Sequence, residues 1–513
     1  MSSVSGLLNK GLEQEKEMPV PVVGAAWTAR EGSRLGGANP LDVESHATQE
    51  AHRLLRAVTS QIQHARYFTI HALVAAEAAT LDLNELEVID LLRRCEVVVG
   101  AIATRHLSPH PGLRRAHGVQ AIAAGMRDEG MLNVARLAAP NGYTKERWGF
   151  LDRGYRRAET RMGLIDDTEG KFVPGAWLDQ AATRDGLRGL LDLARRDTVD
   201  FGTLDAHGNL CLCGVSDSAD GASFLRVLMG EGKDARSRAA VRAQSVRLVL
   251  RLIILHGGVD AGQIQAQLQP FLLFDPAPQR DSVLASLEVT EAWKGVALRA
   301  ITANAWGALW AWVVHRIPTV AMTTSVDSLA KLLADEFPAV TVRQFVAALP
   351  PGIRDDGLLL PAERDVDDGL PTGWVRQLFL GAFRRGQLTP QADSYFDEQY
   401  EDGAYRLSPT WLRARLEHAM DRPLPVFVAS LVEQMVLQSQ AVALQRAEID
   451  PRTGTDRLPT GVFVRDGLVF KEADYWGGGV NFRWDTLAKL LCGLGLIDYQ
   501  GGRWKVTEKG ASL

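Results

Sequence analysis

The sequence predicts a mainly α-helical protein, a multi-lobed helical body that carries small β-hairpin modules. Apolar residues recur at three- and four-residue spacing through most of the chain from Pro40 to Glu448. Strand signals are confined to short stretches, the clearest being Asp466-Gly467 between alternating residues in VFVRDGLVF. Composition agrees, because 46% hydrophobic and 23% charged residues make a globular chain, and 513 residues exceed one ordinary core.

Taken in order, residues 1–40 mix Pro, Gly and polar residues without a period, which predicts an extended N-terminal arm. Residues 41–175 read as a helical domain, with LRAVTSQIQHARYFTIHALVAAEAA and ELEVIDLLRRCEVVVGAIA as its helices and HLSPHPGLRRAHG as a loop. Residues 176–450 continue as a helical body. Its helices include GAWLDQAATRDGLRGLLDLARRD, DARSRAAVRAQSVRLVLRLIILHGG, VLASLEVTEAWKGVALRAITANAWGALWAWVV and PVFVASLVEQMVLQSQAVALQRAE, and acidic loops separate some of them. Residues 451–513 change character, with a linker, the Asp466-Gly467 hairpin and a final helix followed by two short strands. No repeat of fixed period runs through the chain.

The net charge of −5 argues against a protein that binds polyanions over its whole surface, so any nucleic-acid contact must be a local patch. Four cysteines, Cys95, Cys211, Cys213 and Cys492, do not form a secreted disulfide framework. A reducing cytoplasm is the simplest reading. The N-terminal residues lack the apolar core of a signal peptide. The longest apolar stretch, Ala300 to Val314, is shorter than the ~20 residues a bilayer requires and carries Thr302 and Asn304, so a buried core helix and no membrane partner are expected.

One phrase is written twice: GLIDDTEGKFVPG at Gly163 to Gly175 and GLIDYQGGRWKVTEKG at Gly495 to Gly510. In the second, Leu487, Leu490, Leu491 and Leu494 supply a helical face, Gly495 lets the chain leave the helix, and Gly501-Gly502 permit a tight reversal between two strands. This segment resembles the closing half of a winged-helix domain. The resemblance rests on Gly495, Leu496, Ile497, Arg503, Thr507, Glu508, Lys509 and Gly510. In members of that family that bind nucleic acid, the helix enters the major groove and wing cations touch phosphate, which would place Arg483 and Lys489 on the helix and Arg503, Trp504, Lys505 and Lys509 on the wing. Residues 451–513 carry net +2 against −7 for the rest of the chain. DNA contact and protein docking both remain open, since the helix face is mostly Leu and Ala.

The first copy reverses the charge, with Asp166, Asp167 and Glu169 at its turn. If it too is a wing, its basic helix, with Arg147, Arg153, Arg156, Arg157 and Arg161, would be the polyanion-facing part; Arg153, Arg156 and Arg157 join the candidate nucleic-acid residues.

No catalytic motif is present, and neither a metal nor a cofactor is expected. His207 with Cys211 and Cys213 offers three donors, yet Cys-x-Cys is not the usual zinc spacing, so structural cysteines are expected. His106, His110 and His117 read as a polar loop. MGEGKDAR lacks full P-loop spacing. Asp355-Asp356 and Asp397-Glu398 could serve a metal-dependent nuclease but lack Lys or His partners in a known pattern, and solvated loops are expected. Trp293, Trp306, Trp310 and Trp312 read as core, and the arginines of DARSRAAVRAQSVRLVLR as a solvated face because they form no single stripe.

The order of features, most sharply Gln63, Ala65, Arg66, Tyr67 and Phe68 in SQIQHARYFTIHALVAAEAA, resembles a loosely defined group of large helical bacterial proteins encoded beside helicases and nucleases in phage-defence loci. That resemblance implies a cytoplasmic, non-enzymatic subunit of an anti-phage system, a scaffold that docks double-stranded DNA or a helicase or nuclease partner. A metal-dependent nuclease is the alternative, and a transcriptional regulator the third reading.

Overall fold

A single helix, Ala65–Leu81, lies at the centre of the N-terminal half, and every residue from Ala65 to Ala78 is buried. A helix enclosed on all sides needs no amphipathic stripe, and the alanines of HALVAAEAA let neighbours approach closely. Helices Glu85–Arg105, Ala219–Leu228 and Gln180–Gly186 and the short strand Val173–Pro174 surround it. The turn into Glu85–Arg105 is fixed by a capping box, in which the Asn84 side chain accepts from Leu86 and Glu87 N–H while Glu87 accepts from Asn84 N–H.

The computed structural model describes residues 39–106, 116–126, 130–166, 172–230, 238–318, 324–397, 407–449, 456–457, 459–465 and 467–513. Nearly all of the expected N-terminal arm, most of the loop after His106, the acidic turn of the first echoed phrase and most of MGEGKDAR lie outside the described residues. The protein is mainly α, with 61% helix and 24 α-helices among the described residues. Strands form only five small antiparallel sheets of two or three strands each among those residues.

The second core helix, Val289–His315, is longer than the apolar stretch that marks it, because its N-terminal half carries Glu291, Lys294 and Arg299. Trp293, Trp306 and Trp310 are buried along it, as expected of core. Glycine sets its closest contacts: a Cβ at Gly295 would lie 2.1 Å from the Ala392 carbonyl oxygen, so helix Pro390–Phe396 meets backbone there. The apolar core is contiguous and includes residues from Leu41 to Trp504. One helix among the described residues, Leu424–Gln445, is long and apolar enough to cross a membrane by length and composition, whereas the stretch Ala300–Val314 lies within the buried core helix expected of it. Half of its most apolar window is buried, and it packs against Val326–Ala334.

The Asp466-Gly467 signal corresponds to a hairpin of Val462–Arg465 and Leu468–Lys471, whose outer edge pairs with Thr324–Ser325. The two echoed phrases also fold alike. Gly163 and Gly495 end their helices at φ of 72° and 71°. The following N–H groups, Leu164 and Leu496, donate back to the carbonyls of Glu159 and Leu491 at 3.0 and 2.9 Å, the Schellman way of stopping a helix. Gly175 and Thr507 N–H then donate to Leu164 and Leu496 carbonyls at 2.9 and 3.0 Å, closing each hairpin. The repeated phrase therefore encodes one helix-to-hairpin device used twice.

Candidate functional site

Five arginines and one exposed tryptophan converge on a cleft of about 730 Å³. Arg56 follows helix Ser45–Leu54, Arg161 ends helix Tyr155–Met162, Arg226 ends helix Ala219–Leu228, and Arg238 and Arg242 begin helix Arg238–His256. Trp177 arrives from the first echoed hairpin. Its backbone N–H donates to the Gly163 carbonyl at 3.2 Å, and its indole fills the space a Gly163 side chain would take. Trp177 is 48% exposed at the rim of the cleft.

Among the described residues that line the cleft, five arginines stand against one carboxylate, Asp179. Asp179 pairs with Arg226 at 3.3 Å and also caps helix Gln180–Gly186 through Ala182 N–H. Among the described residues, no carboxylate pairs with Arg56, Arg161 or Arg238. Burial lowers the Arg56 pKa, and the nearby Arg238 and Arg161 guanidiniums lower it further. Arg242 is buried and donates to the last carbonyls of helix Ala219–Leu228, to Leu228 at 3.0 Å and Val227 at 2.7 Å. Burial and then Arg56 push its pKa down to about 10. Like charges held together this way store repulsion that an anion would relieve.

The cationic group extends behind the cleft to Arg483. Its guanidinium donates to the Val58 carbonyl and lies 3.3 Å from His52 Nδ1. Burial and then Arg161 bring its pKa to about 10; burial, Arg483 and Arg161 hold His52 near 4. Of the residues proposed from sequence, Arg483 thus adjoins Arg161 but points inward. The others lie elsewhere. Lys489 is half-buried and 3.4 Å from Gln63 Oε1. Arg503 donates to Gly258 carbonyl at 2.6 Å and pairs with Asp260 at 3.3 Å, Trp504 is buried against Tyr499, and Lys509 donates to the carbonyls of Ser216 and Leu494. Only Lys505 on that hairpin extends into solvent without a described partner. Arg156 stacks on Trp148 and pairs with Asp152, Arg153 lies 3.7 Å from Glu146, and Arg157 is exposed.

The helix before the C-terminal hairpin, Trp484–Gly493, has no exposed residue, and Trp484, Leu487, Ala488 and Leu490 to Gly493 are buried. Its Leu and Ala face is core, so it offers no surface to a DNA groove. The hairpin strand Arg503–Val506 is also joined on its outer edge by Val259–Asp260. Sequence reading missed the cleft because its arginines come from four separate segments, and a search for one basic stripe on one helix overlooks such a group. Arg238 and Arg242, read as a solvated face, are part of it.

Two further clusters bring together residues that the sequence did not group. Fully buried His71 is hydrogen-bonded through Nδ1 to Glu159 at 2.6 Å and through Nε2 to Glu96 at 2.9 Å. Tyr143 O–H and Phe150 N–H donate to Glu96. Burial opposes a charged His71, but Glu159 and Glu96 outweigh it and raise its pKa to about 9. Burial raises Glu159. The network ties three helices together without reaching a surface.

The second cluster joins His106 to Cys211 and Cys213. His106 Nδ1 is 3.3 Å from Cys211 Sγ and 3.1 Å from Cys213 Sγ, and the two sulfurs are 3.1 Å apart. His207, the imidazole placed beside these cysteines by sequence, instead bonds the Thr203 carbonyl at 2.8 Å. His117 is packed against Phe150 and Tyr67, and burial holds its pKa near 4. His110 lies outside the described residues.

No family model, no curated protein and no solved structure matches the chain.

Proposed function

We propose that this protein is a non-enzymatic, DNA-associated scaffold subunit of a bacterial multi-protein system, and that it holds a DNA strand by its phosphates in the arginine cleft. The observation that carries this reading is the convergence of Arg56, Arg161 and Arg238, without described carboxylate partners, beside the exposed indole of Trp177. Guanidinium groups pair with phosphate and an aromatic face stacks a base, which is how single strands are held without sequence preference. A cleft of about 730 Å³ has the size of an ordinary ligand pocket and is too small for a duplex, so the favoured form is a single strand or a strand end.

Two of the acidic-loop carboxylates singled out in the sequence, Asp356 and Asp397, are engaged, while Glu398 lies outside the described residues. Asp356 pairs with Arg280 and Arg354, and buried Asp397 accepts from Thr410 N–H and O–H. The place in an anti-phage system, with a helicase or nuclease partner, rests on the resemblance carried by Gln63 and Ala65 to Phe68. Fluorescence anisotropy with a labelled single strand tests the central reading: affinity that falls steeply with salt supports it, and no binding at low salt rejects it.

A further inference from the structure

The turn that carries Cys211 and Cys213 is held in place before any ligand arrives. Arg66, wholly buried on the central helix, donates to the carbonyls of Asn209, Cys211 and Gly214 and to Asp220. Thr69 O–H reaches the other Asp220 oxygen at 2.8 Å. Gly214 N–H closes the turn onto the Cys211 carbonyl at 2.9 Å, which brings residues 211 and 213 to the same side. His106 is delivered by the end of helix Glu85–Arg105 as its C-cap residue.

The three side chains all aim at one point. Two thiols cannot both form a good hydrogen bond to a single imidazole nitrogen, so mutual hydrogen bonding does not explain why both sulfurs lie within 3.3 Å of His106 Nδ1. Tetrahedral coordination at ordinary zinc bond lengths separates two sulfurs by about 3.8 Å and sulfur from nitrogen by about 3.5 Å. The observed separations of 3.1 and 3.3 Å are within about 0.7 Å of those values, a small outward adjustment. Sulfur and imidazole donors together favour zinc over magnesium or calcium.

We infer that His106, Cys211 and Cys213 supply three ligands of a zinc(II) site that fastens the end of helix Glu85–Arg105 to the Arg66-held turn. On binding, each thiol forms a sulfur–zinc bond and releases its proton to solvent, so two protons leave and no redox step occurs. Sequence spacing alone missed the site because the third ligand is 105 residues from Cys211.

The test is zinc and cobalt(II) binding by the reduced full-length protein. The expected result is stoichiometric zinc, a tetrahedral cobalt spectrum with thiolate-to-metal charge transfer, and loss of both in Cys211→Ser with Cys213→Ser and in His106→Ala. Cys492→Ser should bind as wild type. Because the site variants could unfold, circular dichroism is measured alongside, and zinc is removed from and returned to the wild type, which should restore the same spectrum. Failure of reduced, folded wild type to bind either metal would overturn the site. So would a Cys211–Cys213 disulfide in protein isolated without oxidant, or retention of metal by the double serine variant.

Discussion

Trp177 is fastened to Gly163: its N–H donates to the Gly163 carbonyl at 3.2 Å, and a Cβ on Gly163 would lie 2.1 Å from Trp177 Cδ1. Gly163 has φ of 72°, a left-handed conformation that an L side chain adopts at a cost. Gly163→Ala should therefore lower stability by about 1–2 kcal/mol from the backbone alone. It should also displace the indole and weaken strand binding. Denaturation midpoints with anisotropy on the same sample check both, and a variant with full affinity would show that Trp177 is not part of the site.

The cleft cations should be dispensable for folding and necessary for binding. Arg161→Ala with Arg238→Ala is expected to leave the thermal midpoint unchanged or slightly raised, because it removes repulsion around Arg56. Affinity for a single strand should fall at least about tenfold, and the slope of log affinity against log salt should become shallower by roughly 0.7 for each phosphate that the variant no longer neutralises.

The C-terminal hairpin should behave in the opposite way. Lys505→Ala with Lys489→Ala should change strand affinity less than about twofold, since Lys489 is turned toward Gln63 and only Lys505 extends into solvent. Leu487→Ala should cost about 2–5 kcal/mol, the usual penalty for emptying a core site, because Leu487 is wholly buried. Chemical denaturation would show this loss; a tenfold binding defect in a stable Lys505 variant would instead restore the hairpin as a nucleic-acid contact.

The His71 network gives a pH dependence. Its folded pKa of about 9 lies above the ordinary imidazole value, so its contribution is fully present below about pH 6.5 and is lost as pH rises through about 9. The linked loss is on the order of 3 kcal/mol, opposed in part at lower pH by Glu159, whose pKa burial raises. Urea midpoints between pH 6 and 9.5 should fall for wild type and stay flatter for His71→Asn. Equal slopes in the two proteins would show that His71 is not charged in the folded state.

The elements were legible where the signal was local. Helical periodicity, the hairpin that flanks Gly467 and the Gly495 helix stop depend on neighbours within a few residues, and the fold uses each of them as expected. What was not legible depended on distance in sequence. Arg56, Arg161 and Arg238 share a cleft although the chain separates them widely, and His106 meets Cys211 although 105 residues separate them. The same limit explains Trp484–Gly493. Its Leu and Ala face could be read as a groove-facing helix or as core, and only helices Ala65–Leu81 and Ile264–Phe274 packed against it decide for core.

The most direct test of the cleft is photo-cross-linking of a single strand carrying a photoreactive base, followed by peptide mapping. The expected result is cross-linking concentrated at Trp177 and its neighbours, abolished by Arg161→Ala with Arg238→Ala. Cross-links confined to Arg503–Lys509 at the C-terminal hairpin would contradict it.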